Sequence, residues 1–342
     1  MIKERDASIN ANGQNTTMND VFELFLANKR NGKIKENSLI RIWQTVEGHI
    51  LPEIGFIFLG NLNFDDCKRV VDKVIAAGYS LSEIKKVYEA LSACLRWAVK
   101  KRDILYNPMD ALEKPTKASD FIKPQKEMQP FTTKECSLLI KEAKRRYSTG
   151  TTVYRLGWLL ILILATGLRA GEALALLWSD VNIEAKTLLV RQTTVISEKK
   201  TSKKGARQYT TKVSERTKTH AGNREIGLND TAIEALTELR KVTGDFEHVA
   251  ATATGTLVTH RSFLRTFHGL LRAIGLPQRG LHDLRHTFAS RLFEKNVDVV
   301  IISKLLGHSS VQITIDTYIH IIDEQKRKAV YALDFLNDES VA

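Results

Sequence analysis

Six polar side chains between residues 169 and 318 hold positions that packing alone does not require: Arg169, Lys218, His282, Arg285, His308 and Tyr318. Two guanidiniums, an ammonium and two imidazoles can grip or protonate a phosphodiester, and a phenol can attack one. The set points past simple attraction to a polyanion, to DNA cleavage through a covalent phosphotyrosine.

Each side chain has its own local frame. Arg169 lies in Ala165-Thr-Gly-Leu-Arg-Ala-Gly-Glu-Ala-Leu, where one apolar run ends at Gly167 and a second follows. Glycine permits a sharp turn that sets Arg169 at a helix start, where free amides and the helix dipole suit an anion. An ion pair with Glu172 accounts for the same arginine. His282 and Arg285 belong to Leu281-His-Asp-Leu-Arg-His-Thr-Phe-Ala-Ser. Three apart, they share one helical face, with Leu284, Phe288 and Leu292 as a separate, core-facing stripe. His282 and His286, four apart, also read as half of a zinc site, but Asp283 stands where an HExxH motif carries Glu, and no third ligand stands out. In Leu305-Leu-Gly-His-Ser-Ser-Val-Gln-Ile-Thr-Ile-Asp-Thr-Tyr-Ile-His, Gly307 ends a helix, His308 follows it and Tyr318 comes one short helix later. Taken singly, Tyr318 is a packing tyrosine.

These frames need elements to position them. From Thr17 the apolar residues Val21, Phe22, Phe25 and Leu26 recur at helical spacing, and further helices are expected around residues 36–51, 64–77, 80–102 and 107–112. Ser80 is placed to cap the third of these, whose stripe runs through Ile84, Val87, Leu91, Leu95 and Val99. Residues 16–112 therefore form a small helical bundle behind a polar, aperiodic stretch, residues 1–15, expected to be disordered. Between 113 and 130 the periodicity stops, and Pro115, Pro124 and Pro130 lie among lysines, as in an exposed linker. A second domain, residues 131–318, opens on Phe131-Thr-Thr-Lys-Glu, which has the form of a capping box. It continues through helices to about residue 179, a β-branched stretch from Thr187 to Ile196, a lysine-rich segment, Arg224-Glu-Ile-Gly-Leu, and then helices to the end. The fold class is mainly α with a small antiparallel β-sheet.

The 342 residues suffice for two domains with sizeable cores. A net charge of +12 favours a polyanionic partner. Its placement sharpens that reading: residues 1–130 are nearly balanced, and the excess is densest between Lys186 and Arg224, where only Glu198 and Glu215 oppose the basic side chains. A solvated loop is the plainer reading of such a run. The three cysteines, Cys67, Cys94 and Cys136, form no CxxC pair and suit a reducing cytoplasm as buried free thiols. The N-terminus has no apolar signal core, and the longest apolar run, Trp158 to Ala165, is too short to span a bilayer and reads as a buried helix.

Together the three motifs resemble the tyrosine recombinase (integrase) family, over roughly residues 131–337. Thr166-Gly-Leu-Arg-Ala-Gly-Glu, His282-Asp-Leu-Arg-His-Thr, Leu306-Gly-His and Tyr318-Ile-His stand in the family's order and spacing. Thr217-Lys-Thr followed by Arg224-Glu-Ile-Gly-Leu looks like its β-hairpin lysine motif, with Gly227 in place of the usual proline. The resemblance implies an N-terminal core-DNA-binding bundle joined to a tyrosine-recombinase catalytic domain. It implies that Arg169 and Arg285 clamp the scissile phosphate, that Tyr318 attacks it to form a 3′-phosphotyrosine, and that Lys218 protonates the 5′-oxygen. His282 would orient or deprotonate the tyrosine, His308 would hydrogen-bond the phosphate, and Glu172 would buttress Arg169. No metal or other cofactor is called for.

The implied partners are double-stranded DNA carrying inverted core or attachment sites, a homotetramer in synapsis, and accessory DNA-bending or excision factors. The segment 319–342, with Ile322, Ala329, Val330, Leu333 and Leu336, would dock as a helix on a neighbouring protomer, although packing on its own domain suits it too. The expected function is integration or excision of a prophage or mobile element in a bacterial cytoplasm. Only about 15 residues precede the bundle, so an arm-site-binding domain is either absent or lies outside this chain. The rival readings are a Xer-like dimer resolvase, a non-catalytic DNA-binding regulator, a type IB topoisomerase and, remotely, a zinc hydrolase.

Overall fold

The computed structural model describes residues 15–32, 34–116, 129–198, 209–214 and 223–331. The chain divides into two compact units, residues 1–127 with 197–208, and residues 128–196 with 209–342.

In the first unit local signals start each helix. Helix α1 (Met18–Asn31) is capped by Thr17, whose hydroxyl accepts from the Asp20 amide at 3.3 Å. It buries Met18, Val21, Phe22, Phe25 and Leu26 on one face. Helix α2 (Glu36–Thr45) widens into one π turn (Val46–Ile50) before the short α3 (Leu51–Ile54). Pro52 has no N–H to donate back into the preceding turn, and the wider turn accommodates its ring. Helix α4 (Phe64–Ala76) starts in a capping box between Asn63 and Asp66, and α5 (Leu81–Lys100) starts at Ser80, whose hydroxyl accepts from the Glu83 amide at 3.3 Å. A 3₁₀ turn, Pro108–Ala111, follows. Cys67 and Cys94 sit in the shared core, and burial pushes the Cys67 thiol up to about 12.

The second unit is built around α7 (Gly157–Thr166), which is apolar on every side and buried almost throughout. Helix α6 (Thr133–Ala143), opened by the expected Thr132–Glu135 capping box, packs against it. After the short α8 (Ala170–Ala175) come strands β1 (Val181–Asn182), β2 (Thr187–Val190), β3 (Thr193–Glu198), β4 (Tyr209–Ser214) and β5 (Arg224–Gly227). They form two antiparallel sheets, β1-β2-β5 and β3-β4. The β-branched stretch 187–196, a single hairpin-like run in sequence, is thus split between two sheets. In the first sheet Leu188 lies opposite Ile226, and both are buried. Helices α9 (Asp230–Thr243), α10 (His260–Ala273), α11 (His282–Glu294), α12 (Val299–Leu306) and α13 (Val311–Tyr331) complete the unit, with α9 and α11 against α7.

Helix α13 is bent at Tyr318, whose φ of −116° and ψ of 21° break the helical run. Tyr318, Ala289, Phe293, Ile302 and Leu306 form a separate small core, against which Ile321 and Ile322 pack. The remaining tail positions singled out in sequence, including Leu333 and Leu336, lie beyond the described helix or have side chains outside the described residues. Among the described residues no helix is long and apolar enough to cross a membrane.

Candidate active site

Two left-handed glycines shape the ground on which the site stands. Gly167 (φ +67°) ends α7 and Gly307 (φ +63°) ends α12, and both expose carbonyls that no helix consumes. Arginines take these carbonyls. Arg285, on α11, donates to Gly167 O at 2.9 Å and to Leu306 O at 2.5 Å. Arg169, just before α8, donates to Gly307 O at 3.1 Å. The loop after α7, helix α11 and the end of α12 are thereby tied together by two arginine side chains.

Arg285 is only 1% exposed, although it shares a helix with the exposed His282. Sequence spacing placed the two on one face with a separate apolar stripe. The structure turns Arg285 inward, and Leu284, Thr287 and Ala289 of the same helix are buried as well. Burial, with the positive charge of Arg169, pushes its pKa down to about 9, so it stays protonated at neutral pH. Glu172 is 3% exposed and accepts from Arg169 Nη1 at 2.8 Å and from Arg224 at 3.1 and 2.9 Å. Burial alone would raise the Glu172 pKa; the Arg224 bonds and the charges of Arg224 and Arg169 outweigh it and hold the carboxylate ionised. Two guanidiniums thus share one carboxylate, and the charge of Arg285 adds to theirs, which leaves positive charge in excess. The anion expected at the start of α8 is in fact supplied by the protein: Glu172 Oε2 accepts from the Arg169 backbone N–H at 2.8 Å.

The histidines line the same cluster. His308 follows Gly307, and its Nδ1 lies 2.8 Å from Thr314 Oγ1. Burial, then Arg285 and Arg169, push its pKa down to about 4. His282 keeps part of its surface in water, but the surrounding protein and the charges of Arg285 and Arg169 lower its pKa too. Tyr318 is 1% exposed, and burial raises its phenol pKa. Its hydroxyl meets His286, not His282: Tyr318 Oη and His286 Nδ1 are 2.8 Å apart. Lys218 lies outside the described residues.

The structure therefore brings Arg169, His282, Arg285, His308 and Tyr318 into one charged cluster and adds two residues that the sequence did not assign to it. Arg224 was legible only as part of a strand motif; here it also donates to Leu305 O at 2.7 Å and joins β5 to the end of α12. In sequence His286 reads only as half of a zinc pair with His282. Its spacing of four from His282 was the available signal, and their rings do meet edge to face at 4.6 Å.

Comparison with known proteins bears on the family and the fold. Residues 129–325 match the model of the phage integrase family. A XerC-like tyrosine recombinase of Caldanaerobacter subterraneus is 31% identical over 287 residues, covering 79% of this chain and 70% of the relative. An integrase of Saccharopolyspora erythraea is 24% identical over 339 residues, covering 83% and 74%. Among solved structures, the Tn1549 transposon integrase in complex with transposon right end DNA shares the fold, with a TM-score of 0.68 at 19% identity, covering 93% of this chain and 99% of that one. A lambda integrase in a tetramer bound to a Holliday junction gives 0.65 at 20% identity, covering 89% and 80%. The chain belongs to the phage integrase family of tyrosine recombinases.

Proposed function

We propose that this chain is a site-specific recombinase that cuts and rejoins double-stranded DNA to integrate or excise a mobile element, with Tyr318 as nucleophile. The observation that carries the reading is Arg285. It is a buried, protonated guanidinium whose bonds among the described residues go to neutral carbonyls, beside Arg169 and the Tyr318 hydroxyl. Such a group is poised for an anion.

Arg169 and Arg285 grip the non-bridging oxygens of the scissile phosphate and stabilise the charge that builds in the pentacovalent transition state. Tyr318 Oη bonds to phosphorus as the bond from phosphorus to the 5′-oxygen breaks, leaving a 3′-phosphotyrosine. Lys218 gives the departing oxygen its proton, His282 takes the proton of the phenol, and His308 hydrogen-bonds the phosphate. The covalent bond conserves the phosphodiester energy, so a second 5′-hydroxyl reverses the step without ATP. Residues 16–112 are the core-DNA-binding domain, 113–130 the linker and 131–318 the catalytic domain. Within segment 319–342 the part beyond Ile322 docks on a neighbouring protomer, and the working assembly is a homotetramer on two paired sites in a bacterial cytoplasm. The lambda integrase tetramer on a Holliday junction supports the assembly.

Covalent trapping tests this. Nicked duplexes spanning the ends of the host element are incubated with protein and EDTA, then run on a denaturing gel beside Tyr318→Phe. A DNA-linked band in wild type that vanishes in the variant is expected. No band despite specific binding in a gel shift would leave a non-catalytic DNA-binding protein as the better reading. The XerC-like relative favours a second role, resolution of chromosome or plasmid dimers. Recombination that requires dimer-resolution sites and ignores element ends would select it.

A further inference from the structure

Among the described residues no backbone group holds the Tyr318 hydroxyl. The residue sits at the bend of α13, where the helical run is broken. Its ring is packed, with Phe293 at 5.3 Å between centroids and His286 at 5.8 Å. Packing fixes a ring plane but leaves the O–H free to rotate, so the direction of the oxygen lone pairs is set by whatever the hydroxyl bonds to. That partner is His286 Nδ1, at 2.8 Å.

His286 is itself well placed to direct a group. It follows Arg285 on α11, so one rigid helix carries both a phosphate-binding guanidinium and the partner of the phenol. Its ring is braced by the edge-to-face contact with His282. Burial, then the neighbouring His282, Arg285 and His308, keep the imidazole neutral, with its pKa pushed down to about 3. A neutral ring has one nitrogen free to accept a proton donor.

We propose that His286 is a positioning residue for the nucleophile: its Nδ1 accepts the Tyr318 hydroxyl hydrogen and aims the oxygen lone pairs at the phosphate held by Arg285 and Arg169. The inference rests on the reading of Tyr318 as nucleophile, and it moves to His286 the orienting task that the family resemblance implies for His282.

The experiment compares wild type with Tyr318→Phe, His286→Leu and His286→Asn on the nicked duplex. It measures the single-turnover rate of covalent complex formation at saturating protein, DNA affinity by gel shift, and the melting temperature. His286→Leu fills the space but cannot accept a hydrogen bond, whereas Asn offers Oδ1 near the place of Nδ1. The expected result is a loss of about 10- to 100-fold in rate for Leu, as for other misaligned reacting groups, with DNA affinity within about twofold of wild type. Most of the rate should return in Asn. If Leu fails to fold, His286→Ala is read in the same way. A Leu or Ala variant that cleaves at the wild-type rate or faster overturns the proposal, as does Asn as slow as Leu when both melt like wild type. Persistence of the covalent band in Tyr318→Phe would instead sink the assignment of the nucleophile, whatever the His286 variants do.

Discussion

Arg285 and Glu172 show how side chains in this site exchange stability for readiness. Arg285 donates to backbone carbonyls and remains desolvated, while the single carboxylate of Glu172 is divided between Arg169 and Arg224. Removing that carboxylate leaves guanidiniums facing one another in a buried place. Glu172→Ala is therefore expected to destabilise the protein by about 3 kcal/mol in urea denaturation, the scale of a broken buried pair. The histidines give a pH dependence whose sign can be worked out. His308 and His286 titrate near 4 and 3 in the folded chain, below the ordinary value of 6.5. Between those limits the unfolded chain binds more protons, so the stability these groups contribute is complete above pH 6.5 and is lost as pH falls through 4 and then 3. Melting curves at pH 7 and pH 5 should show wild type losing more stability than a His286→Asn, His308→Asn double variant. An equal loss would mean that other groups carry the dependence.

Among the elements, the ends matter more than the middles. Gly167 combines a left-handed backbone with a close approach: a Cβ there would lie 2.4 Å from the ring of Phe288. The same residue offers the carbonyl that Arg285 uses. Gly167→Ala should cost about 2 kcal/mol from strain and overpacking, and should slow DNA cleavage by misplacing Arg285. Gly227, where the family usually has proline, is the opposite case. It has no left-handed φ, and a Cβ there meets nothing within 4 Å. Gly227→Ala should stabilise the strand by about 0.5 kcal/mol, chiefly by restricting the unfolded chain, and the two substitutions can be compared in one set of melts.

At the scale of the molecule the net charge of +12 becomes a statement about association. A recombinase that neutralises several phosphates releases their counterions, so its affinity falls log-linearly with salt. Between about 50 and 200 mM salt the affinity for core-site DNA should drop by at least about 100-fold, measured by fluorescence anisotropy. A shallow slope would assign the lysine-rich segment between Lys186 and Arg224 to solvent and not to phosphate.

What depends on neighbours a few residues apart is legible in the chain before it folds. Helical spacing marked the buried faces of α1 and α5, Ser80 and the Thr132–Glu135 pair announced their helix starts, and the unbroken apolar run around Trp158 foretold a helix buried on every side. The order of motifs was enough to name the family and the fold class, because a motif is a local string. Tertiary structure decided whatever needed two distant segments to meet. It turned Arg285 inward, gave Glu172 a second partner 52 positions away in Arg224, divided the stretch 187–196 between two sheets, and set His286 against Tyr318. Periodicity places two histidines on α11 but carries no information on which of them faces α13. That choice is made by the crossing of helices and the bend at Tyr318, which no spacing along the chain records.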